Sequence, residues 1–224
     1  MKHIKAPLYP ALLAGILMLF SALQPALAQE QWEEAIQAFE QMDETNPPPE
    51  GAILFAGSSS IRLWSTLAED FPDARVINRG FGGSQMSDLI HFADRIVTPY
   101  APRLILVYEG DNDVAAGKTA EQVFADYQQF VSLVHDQLSD TRIAFIAIKP
   151  SLARRSLMDE MRKANGLIEE YAAARDHLDY IDIFTPMLGE DGEPLPDIFV
   201  DDGLHLNAAG YAIWAEVVRP YLAR

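Results

Sequence analysis

The stretch Ala52-Ile53-Leu54-Phe55-Ala56-Gly57 is followed directly by Ser58-Ser59-Ser60. Apolar residues that run on without polar alternation are typical of a strand buried on both faces of a sheet. A glycine followed by serines indicates a sharp turn into a helix. The stretch therefore predicts a strand–turn–helix unit, which is the repeating element of α/β folds.

The same alternation continues along the rest of the chain. Further short apolar, β-prone runs occur at 75–77, 104–108, 143–148 and 180–184. Helical patterns occur at about 60–69, 86–97, 120–138 and 153–175, and a last helix follows Asn207. Because strands that alternate with helices form right-handed βαβ units, we expect a three-layer α/β/α sandwich around a parallel sheet of about five strands.

The N-terminal segment has the features of a secretory signal peptide. Lys2 and Lys5 precede an apolar run at 12–23, and Ala26-Leu27-Ala28 provides a cleavage site. We therefore expect cleavage after Ala28 and export across the inner membrane to the periplasm. An uncleaved anchor is the alternative, although the apolar run is short for a membrane span.

Residues 29–224 are predicted to form a single domain. An amphipathic helix around Trp32 and the linker Pro47-Pro48-Pro49 occupy 29–49, and the core occupies 50–224. The chain has no cysteine, so neither a disulfide nor a lipid-modified cysteine is available, and stability must come from the core.

The chain is strongly acidic, with a formal net charge of −16 over 224 residues. Residues 1–28 contain two lysines and no acidic residue, so their removal makes the charge −18. Such a surface repels nucleic-acid phosphates and anionic lipid headgroups. We therefore expect no nucleic-acid partner and no stable membrane association after processing, although acidity also simply favours solubility.

Four polar segments follow the predicted strands at the edge where ligands bind in parallel sheets. Ser59 follows the first strand, Gly80-Phe81-Gly82-Gly83 the second, Asn112 the third and Asp202-Gly203-Leu204-His205 the fifth. The carboxyl ends of parallel strands share one edge of the sheet. We therefore expect the four segments to lie near one another.

Ser59 is the candidate nucleophile, because a serine at a strand-to-helix turn is exposed and near the positive end of a helix. The alternative is that this serine run only caps the helix.

His205 is the candidate base, since Asp202, three residues earlier, can accept a hydrogen bond from its Nδ1 and leave Nε2 free. A purely structural Asp–His pair remains the alternative. His91, His135 and His177 lie in helical patterns, where structural roles are the default.

Gly83 and Asn112 are candidate donors to an oxyanion, through a backbone N–H and a side-chain amide respectively. A dinucleotide loop is disfavoured because Gln85 stands where that pattern needs a third small residue. Asp111 and Asp113 could instead cap a helix, and the Asp-Asn-Asp run lacks the spacing of a calcium loop. We therefore expect no metal and no cofactor.

Together these segments resemble the SGNH hydrolases, the GDSL-type esterase and lipase family. Gly57-Ser58-Ser59, Asn78–Gly83, Gly110–Asp113 and Asp202–His205 correspond in order and spacing to the family's blocks. The resemblance spans roughly 50–224 and implies a flavodoxin-like α/β/α fold. It also implies a catalytic triad of Ser59, Asp202 and His205, with Ser59, Gly83 and Asn112 forming the oxyanion hole. Ser58 replaces the family's aspartate before the nucleophile, which puts the local loop hydrogen bonding in doubt.

The residues and the resemblance together predict a secreted serine esterase. Its expected substrates are small-molecule or glycan-linked esters, because no long apolar lid segment is visible and the surface is acidic. A lysophospholipase or lipase of the same family is one alternative. A homologue that binds a ligand but has lost catalysis is the other.

Overall fold

The computed structural model describes residues 30–223, so the predicted signal peptide, 1–28, lies outside the described residues. Five parallel strands form one sheet in the order β2-β1-β3-β4-β5. The strands are β1 Ile53–Gly57, β2 Val76–Gly80, β3 Leu104–Tyr108, β4 Arg142–Ile146 and β5 Leu178–Ile181. The predicted sheet is therefore confirmed in both strand number and direction.

Eight α-helices lie in the described part of the chain. They are α1 Glu33–Thr45, α2 Ser59–Arg62, α3 Leu67–Asp70, α4 Met86–Ile96, α5 Asp111–Ala115, α6 Ala120–Gln137, α7 Met158–Ala173 and α8 Ala208–Leu222. Short 3₁₀ turns lie at Thr98–Tyr100, Arg155–Leu157, Thr185–Met187 and Pro196–Ile198.

The sheet is covered by two helical layers, as the sequence predicts. Helices α1, α4, α6 and α7 pack against one another in that order to form one layer. An aromatic cluster links α8 to β1 and the α2–α3 segment, through Phe55, Trp64, Phe71, Tyr211 and Trp214. All residues of β1 and β3 are buried, which explains their uninterrupted apolar sequences.

Strand register brings the ends of three strands side by side. Gly57, the last residue of β1, pairs with Gly80 of β2 on one side and Tyr108 of β3 on the other. The segments that follow these residues therefore leave the sheet at neighbouring points of its carboxyl edge. In such sheets this edge forms the ligand crevice.

The predicted bounds of several elements differ from those in the structure, most clearly at three places. The helix expected at 60–69 is divided into α2 and α3, because Trp64 between them turns into the core and donates its Nε1–H to Asp70. The strand expected at 180–184 is instead β5, which ends before Asp182, whose Oδ1 accepts the backbone N–H groups of Phe184 and Thr185. The helix expected from residue 153 begins at Met158.

Ion pairs connect helix α1 to helix α4 and to strand β2. Arg95 of α4 binds Glu33 at 2.7 Å and Glu40 at 2.6 Å, while the buried Arg79 pairs with Asp43. These contacts position the start of α1 and therefore Trp32, the residue directly before Glu33. Within 30–223 no helix combines the length and apolar character required to cross a bilayer.

Candidate active site

Ser59 lies at the first turn of α2, immediately beyond the sheet edge. The turn requires glycine at position 57, because its φ is +137° and a Cβ there would lie 2.0 Å from the Tyr108 carbonyl oxygen. As the first residue of α2, Ser59 has a backbone N–H without an intrahelical acceptor. Ser58 makes no side-chain capping hydrogen bond, so the capping interpretation does not describe that residue.

The side chain of Ser59 contacts His205. Oγ of Ser59 lies 3.0 Å from Nε2 of His205, and Nδ1 of His205 lies 2.6 Å from Oδ2 of Asp202. An ionised carboxylate can only accept a hydrogen bond, so Nδ1 carries the ring proton and Nε2 is free to accept one from Ser59. The three residues therefore form a Ser–His–Asp chain of hydrogen bonds.

The turn that carries His205 is built around Asp202. Oδ1 of Asp202 accepts the backbone N–H groups of Leu204 at 2.8 Å and His205 at 2.9 Å, and Gly203 adopts a φ of +63°. The hydrogen bond from the His205 ring, supported by these two N–H groups, lowers the pKa of Asp202 to about 2. The carboxylate is therefore ionised at neutral pH and can stabilise a positive imidazolium beside it.

Gly83 is exposed in the loop after β2 and adopts a φ of +77°. The loop is anchored by a hydrogen bond from the Phe81 N–H to the Gly57 carbonyl, 2.9 Å long. A Cβ on Gly83 would lie 3.5 Å from Cη2 of Trp32, so the indole ring of Trp32 flanks this position. Trp32 also packs edge-on against Phe81, with ring centroids 5.8 Å apart.

Asn112 lies in α5, which follows β3, and its side chain is half-buried. Its Nδ2 donates to the Ser84 carbonyl at 2.9 Å, and its Oδ1 accepts from Nη2 of Arg154 at 3.0 Å. An amide nitrogen has two hydrogens, so one remains for a ligand after the bond to Ser84.

The two aspartates beside Asn112 have different partners. Asp113 accepts the Gly110 N–H at 3.1 Å, as expected of a residue that caps α5, and also binds Lys118 at 2.8 Å. Asp111 instead forms ion pairs with Lys149 at 2.7 Å and Arg154 at 2.6 Å. Among residues 30–223, no cluster of three His, Asp or Glu side chains has the arrangement of a metal site.

Comparison with known proteins assigns this site to a family. The sequence profile of the GDSL-like Lipase/Acylhydrolase family matches residues 50–213. The chain belongs to this family. The matched region contains Ser59, Gly83, Asn112 and the Asp202–His205 turn, so the predicted resemblance is confirmed at the family level, and the chain is a hydrolase by family.

Solved structures share the fold of this GDSL-like protein at low sequence identity. A protein from Streptococcus pneumonia, provisionally described as a platelet activating factor, is 22% identical, with a TM-score of 0.76, covering 92% of this chain and 99% of its own. A GDSL-like lipase from Bacteroides thetaiotaomicron is 20% identical, with a TM-score of 0.71 and coverages of 84% and 97%. A catalytic mutant of an acetylxylan esterase from Geobacillus stearothermophilus is 16% identical, with a TM-score of 0.61 and coverages of 76% and 94%. No curated protein has a significant sequence match.

A buried carboxyl group lies next to the Asn112 side of this candidate site. Glu109 is fully buried, and its Oε1 is 2.6 Å from the hydroxyl of Ser84, which is also 3.1 Å from the Phe81 carbonyl. Burial, followed by the nearby charge of Asp113, raises the pKa of Glu109 well above its usual value. Burial therefore favours the protonated form of Glu109, and its hydrogen-bond partner Ser84 also accepts the Asn112 amide through its backbone carbonyl.

Sequence reasoning did not identify Trp32, Lys149 or Arg154 as site residues. Trp32 lies outside the matched family region, and residue 154 falls in what the sequence indicates is a helix. A signal for Lys149 was present, since it is a charged residue directly after the apolar run at 143–148. Buried lysines require a charged partner, which here is Asp111.

Proposed function

We propose that the protein is a serine esterase that hydrolyses carboxylic esters through an acyl-enzyme on Ser59. The observation that carries this proposal is the hydrogen-bonded chain from Ser59 through His205 to Asp202, with N···O distances of 3.0 and 2.6 Å. A serine hydroxyl is a weak nucleophile until a neighbouring base removes its proton. The chain of hydrogen bonds supplies that base and an acid to orient it.

The reaction begins when Oγ of Ser59 attacks the ester carbonyl and Nε2 of His205 takes the hydroxyl proton. The ionised Asp202 stabilises the resulting imidazolium. The backbone N–H groups of Ser59 and Gly83 and the free amide hydrogen of Asn112 bind the oxyanion of the tetrahedral intermediate. His205 then protonates the departing alcohol, which leaves an acyl group on Ser59.

The second half of the reaction regenerates the enzyme. His205 removes a proton from water as the water attacks the acyl carbonyl. A second tetrahedral intermediate uses the same oxyanion donors, and its collapse releases the carboxylic acid and returns the proton to Ser59. No metal or cofactor takes part in either step of this proposal.

We further propose small acyl groups, on small molecules or glycans, as substrates. Within 30–223 the exposed large apolar side chains are only Met42, Leu63 and Val200, which supplies little apolar surface for a long acyl chain. The same fold occurs in an acetylxylan esterase, which acts on a glycan-linked acetyl ester. With the N-terminal features noted above, the proposed enzyme acts after export to the periplasm, without a nucleic-acid or membrane partner.

The experiment is an ester panel run on wild type, Ser59→Ala and the control Ser65→Ala, whose serine is exposed on the segment between α2 and α3. The panel contains p-nitrophenyl acetate, butyrate and octanoate together with an acetylated xylo-oligosaccharide. We expect hydrolysis of the acetyl esters by wild type and Ser65→Ala, and none above background by Ser59→Ala. Activity of Ser59→Ala at the wild-type rate would refute the proposal.

The same panel separates the alternatives. Octanoate hydrolysed much faster than acetate would favour a lipase or lysophospholipase over the proposed substrate class. A folded wild type that hydrolyses none of the esters and resists a fluorophosphonate would favour a ligand-binding homologue.

A further inference from the structure

The amide of Asn112 is held between two neighbours that impose the same orientation. A guanidinium can only donate hydrogen bonds and a backbone carbonyl can only accept them. Arg154 therefore requires the amide oxygen on its side, and the Ser84 carbonyl requires the amide nitrogen on the other. A flipped amide would lose both bonds, so the direction of the free Nδ2 hydrogen is fixed before a substrate arrives.

Arg154 is itself fixed by a buried ion pair. Its Nη1 lies 2.6 Å from Oδ1 of Asp111, and the opposite oxygen of that carboxylate accepts from Nζ of Lys149 at 2.7 Å. Lys149 is fully buried, and the Asp111 side chain is only 6% exposed. Burial alone would raise the pKa of Asp111, but the charges of Lys149 and Arg154 outweigh that effect and hold it below its usual value. The guanidinium therefore lies in ionic contact with a buried carboxylate that is itself paired with Lys149.

The loop that carries Arg154 also contacts the turn of the candidate base. The Ala153 N–H donates to the Gly203 carbonyl at 3.0 Å, and a Cβ on Gly203 would lie 3.1 Å from Cβ of Leu152. The loop thus bridges the Asn112 side of the site and the His205 side.

We propose that Arg154 is a positioning residue that aims the Asn112 amide at the oxyanion and strengthens it as a donor. One net positive charge lies beside this amide, because the cations Lys149 and Arg154 share the single anion Asp111. The chain as a whole has a formal charge of −16. A cationic donor on Oδ1 withdraws electron density and makes the Nδ2–H group a stronger donor. This role rests on the proposed function, because it acts only through the oxyanion.

A double-mutant cycle tests this role. Arg154→Met keeps the aliphatic stem. Asp111 remains paired with Lys149, so the substitution leaves no buried charge without a partner. Arg155→Met is the matched control, because Arg155 is adjacent in sequence but forms an exposed pair with Glu193. The set contains wild type, Arg154→Met, Asn112→Ala, the double variant and Arg155→Met, assayed for kcat and KM on p-nitrophenyl acetate.

Distinct fold-changes are expected for each variant. Asn112→Ala should lower kcat by on the order of 10²–10³-fold. Arg154→Met should lower kcat by about 10- to 100-fold with little change in KM, because the lost interaction strengthens only in the transition state. The double variant should stay within about threefold of Asn112→Ala, since Arg154 acts through that amide. Arg155→Met should match wild type.

Two results would overturn the role of Arg154. One is an Arg154→Met enzyme as active as Arg155→Met. The other is a double variant whose loss is the product of the two single losses, which a merely structural arginine would produce. If Arg154→Met does not fold, Arg154→Gln takes its place in the cycle, since its amide can still donate to Asn112 without a charge. Full activity of Asn112→Ala and Ser59→Ala would instead refute the proposed function itself.

Discussion

Nε2 of His205 lies 3.0 Å from Oγ of Ser59, although 146 residues separate them in sequence. Helix α8 contacts the segments that carry both residues. His205 stands just before Asn207, whose side chain caps α8 by accepting the Ala209 N–H at 2.9 Å. On the other side, the hydroxyl of Tyr211 in α8 donates to the Ser60 carbonyl in α2 at 2.9 Å. Helix α8 therefore connects the segment that carries Ser59 with the segment that carries His205.

Asp202→Asn tests the acid of the proposed triad. The Asn side-chain oxygen can still accept the two backbone N–H groups, so the turn should persist. Its amide would donate to Nδ1, which favours the tautomer that cannot take the Ser59 proton. We expect kcat to fall by on the order of 10³–10⁴-fold, with little change in KM or melting temperature.

Asp201→Asn is the control for this variant, because Asp201 is the exposed neighbour of Asp202. It should keep wild-type kcat on p-nitrophenyl acetate. Because the pKa of Asp202 is about 2, protonation of this carboxylate should not contribute to any loss of activity on mild acidification. An Asp202→Asn enzyme with wild-type kcat would show that the Asp–His pair is only structural.

Gly57→Ala tests the strand-to-helix turn that presents Ser59. The added Cβ would lie 2.0 Å from the Tyr108 carbonyl oxygen, so β1 and β3 would have to separate. Gly117→Ala is a matched control, because its φ of +93° is also positive but nothing lies within 4 Å of an added Cβ. We expect Gly117→Ala to cost about 1–3 kcal/mol of unfolding free energy, and Gly57→Ala to cost clearly more or to prevent folding. Equal urea midpoints for the two variants would contradict this account of the turn.

Trp32→Ala tests whether α1 contributes to the substrate cleft. Removing the indole opens space beside Gly83, so the ratio of butyrate to acetate hydrolysis, as kcat/KM, should rise by about tenfold. Phe39→Ala is the control, because Phe39 is half-buried on the same helix but packs on Arg79, with 5.0 Å between the guanidinium and the ring. Both variants should lose about 1–3 kcal/mol of stability, yet only Trp32→Ala should change the ratio. An unchanged ratio would show that Trp32 does not limit the size of the acyl group.

Glu109→Gln tests whether the buried carboxyl group of Glu109 is protonated in the folded protein. The folded state keeps a proton that the unfolded chain releases above the ordinary glutamate pKa of 4.5, so rising pH lowers wild-type stability. Relative to Glu109→Gln, which has no such proton, the wild type should lose up to about 1.4 kcal/mol per pH unit between pH 5 and 8 in urea unfolding. The exposed carboxylate variant Glu44→Gln should run parallel to wild type. A Glu109→Gln curve that is also parallel to wild type would mean that Glu109 is ionised in the fold.

The architecture was predictable because its central strands have continuous apolar sequences. The candidate site residues were predictable because they directly follow the strands. Ser59, Gly83 and Asn112 could be located together because parallel strands end at a common edge, and β1 pairs with both β2 and β3 there. The Asp202–His205 turn was recognisable because both members are close in sequence. Their catalytic roles stay predictions until the variants above are measured.

The supporting residues were not predictable, because long-range contacts determine their positions. Trp32 lies beside Gly83 in part because Arg95, 62 residues from Glu33 in sequence, binds that residue at the start of α1. Likewise, residues 153 and 154 fall in a segment that has a helical pattern, but in the structure the Ala153 N–H donates to the Gly203 carbonyl. Local periodicity contains no information about either partner.

Covalent labelling with a fluorophosphonate, followed by peptide mass spectrometry, tests directly whether Ser59 is the nucleophile. We expect a single adduct on the peptide that contains Ser59, absent from Ser59→Ala and strongly reduced in His205→Ala, while both variants melt like wild type. An adduct on another residue, or folded wild-type protein that remains unlabelled, would contradict the assignment of Ser59 as the nucleophile.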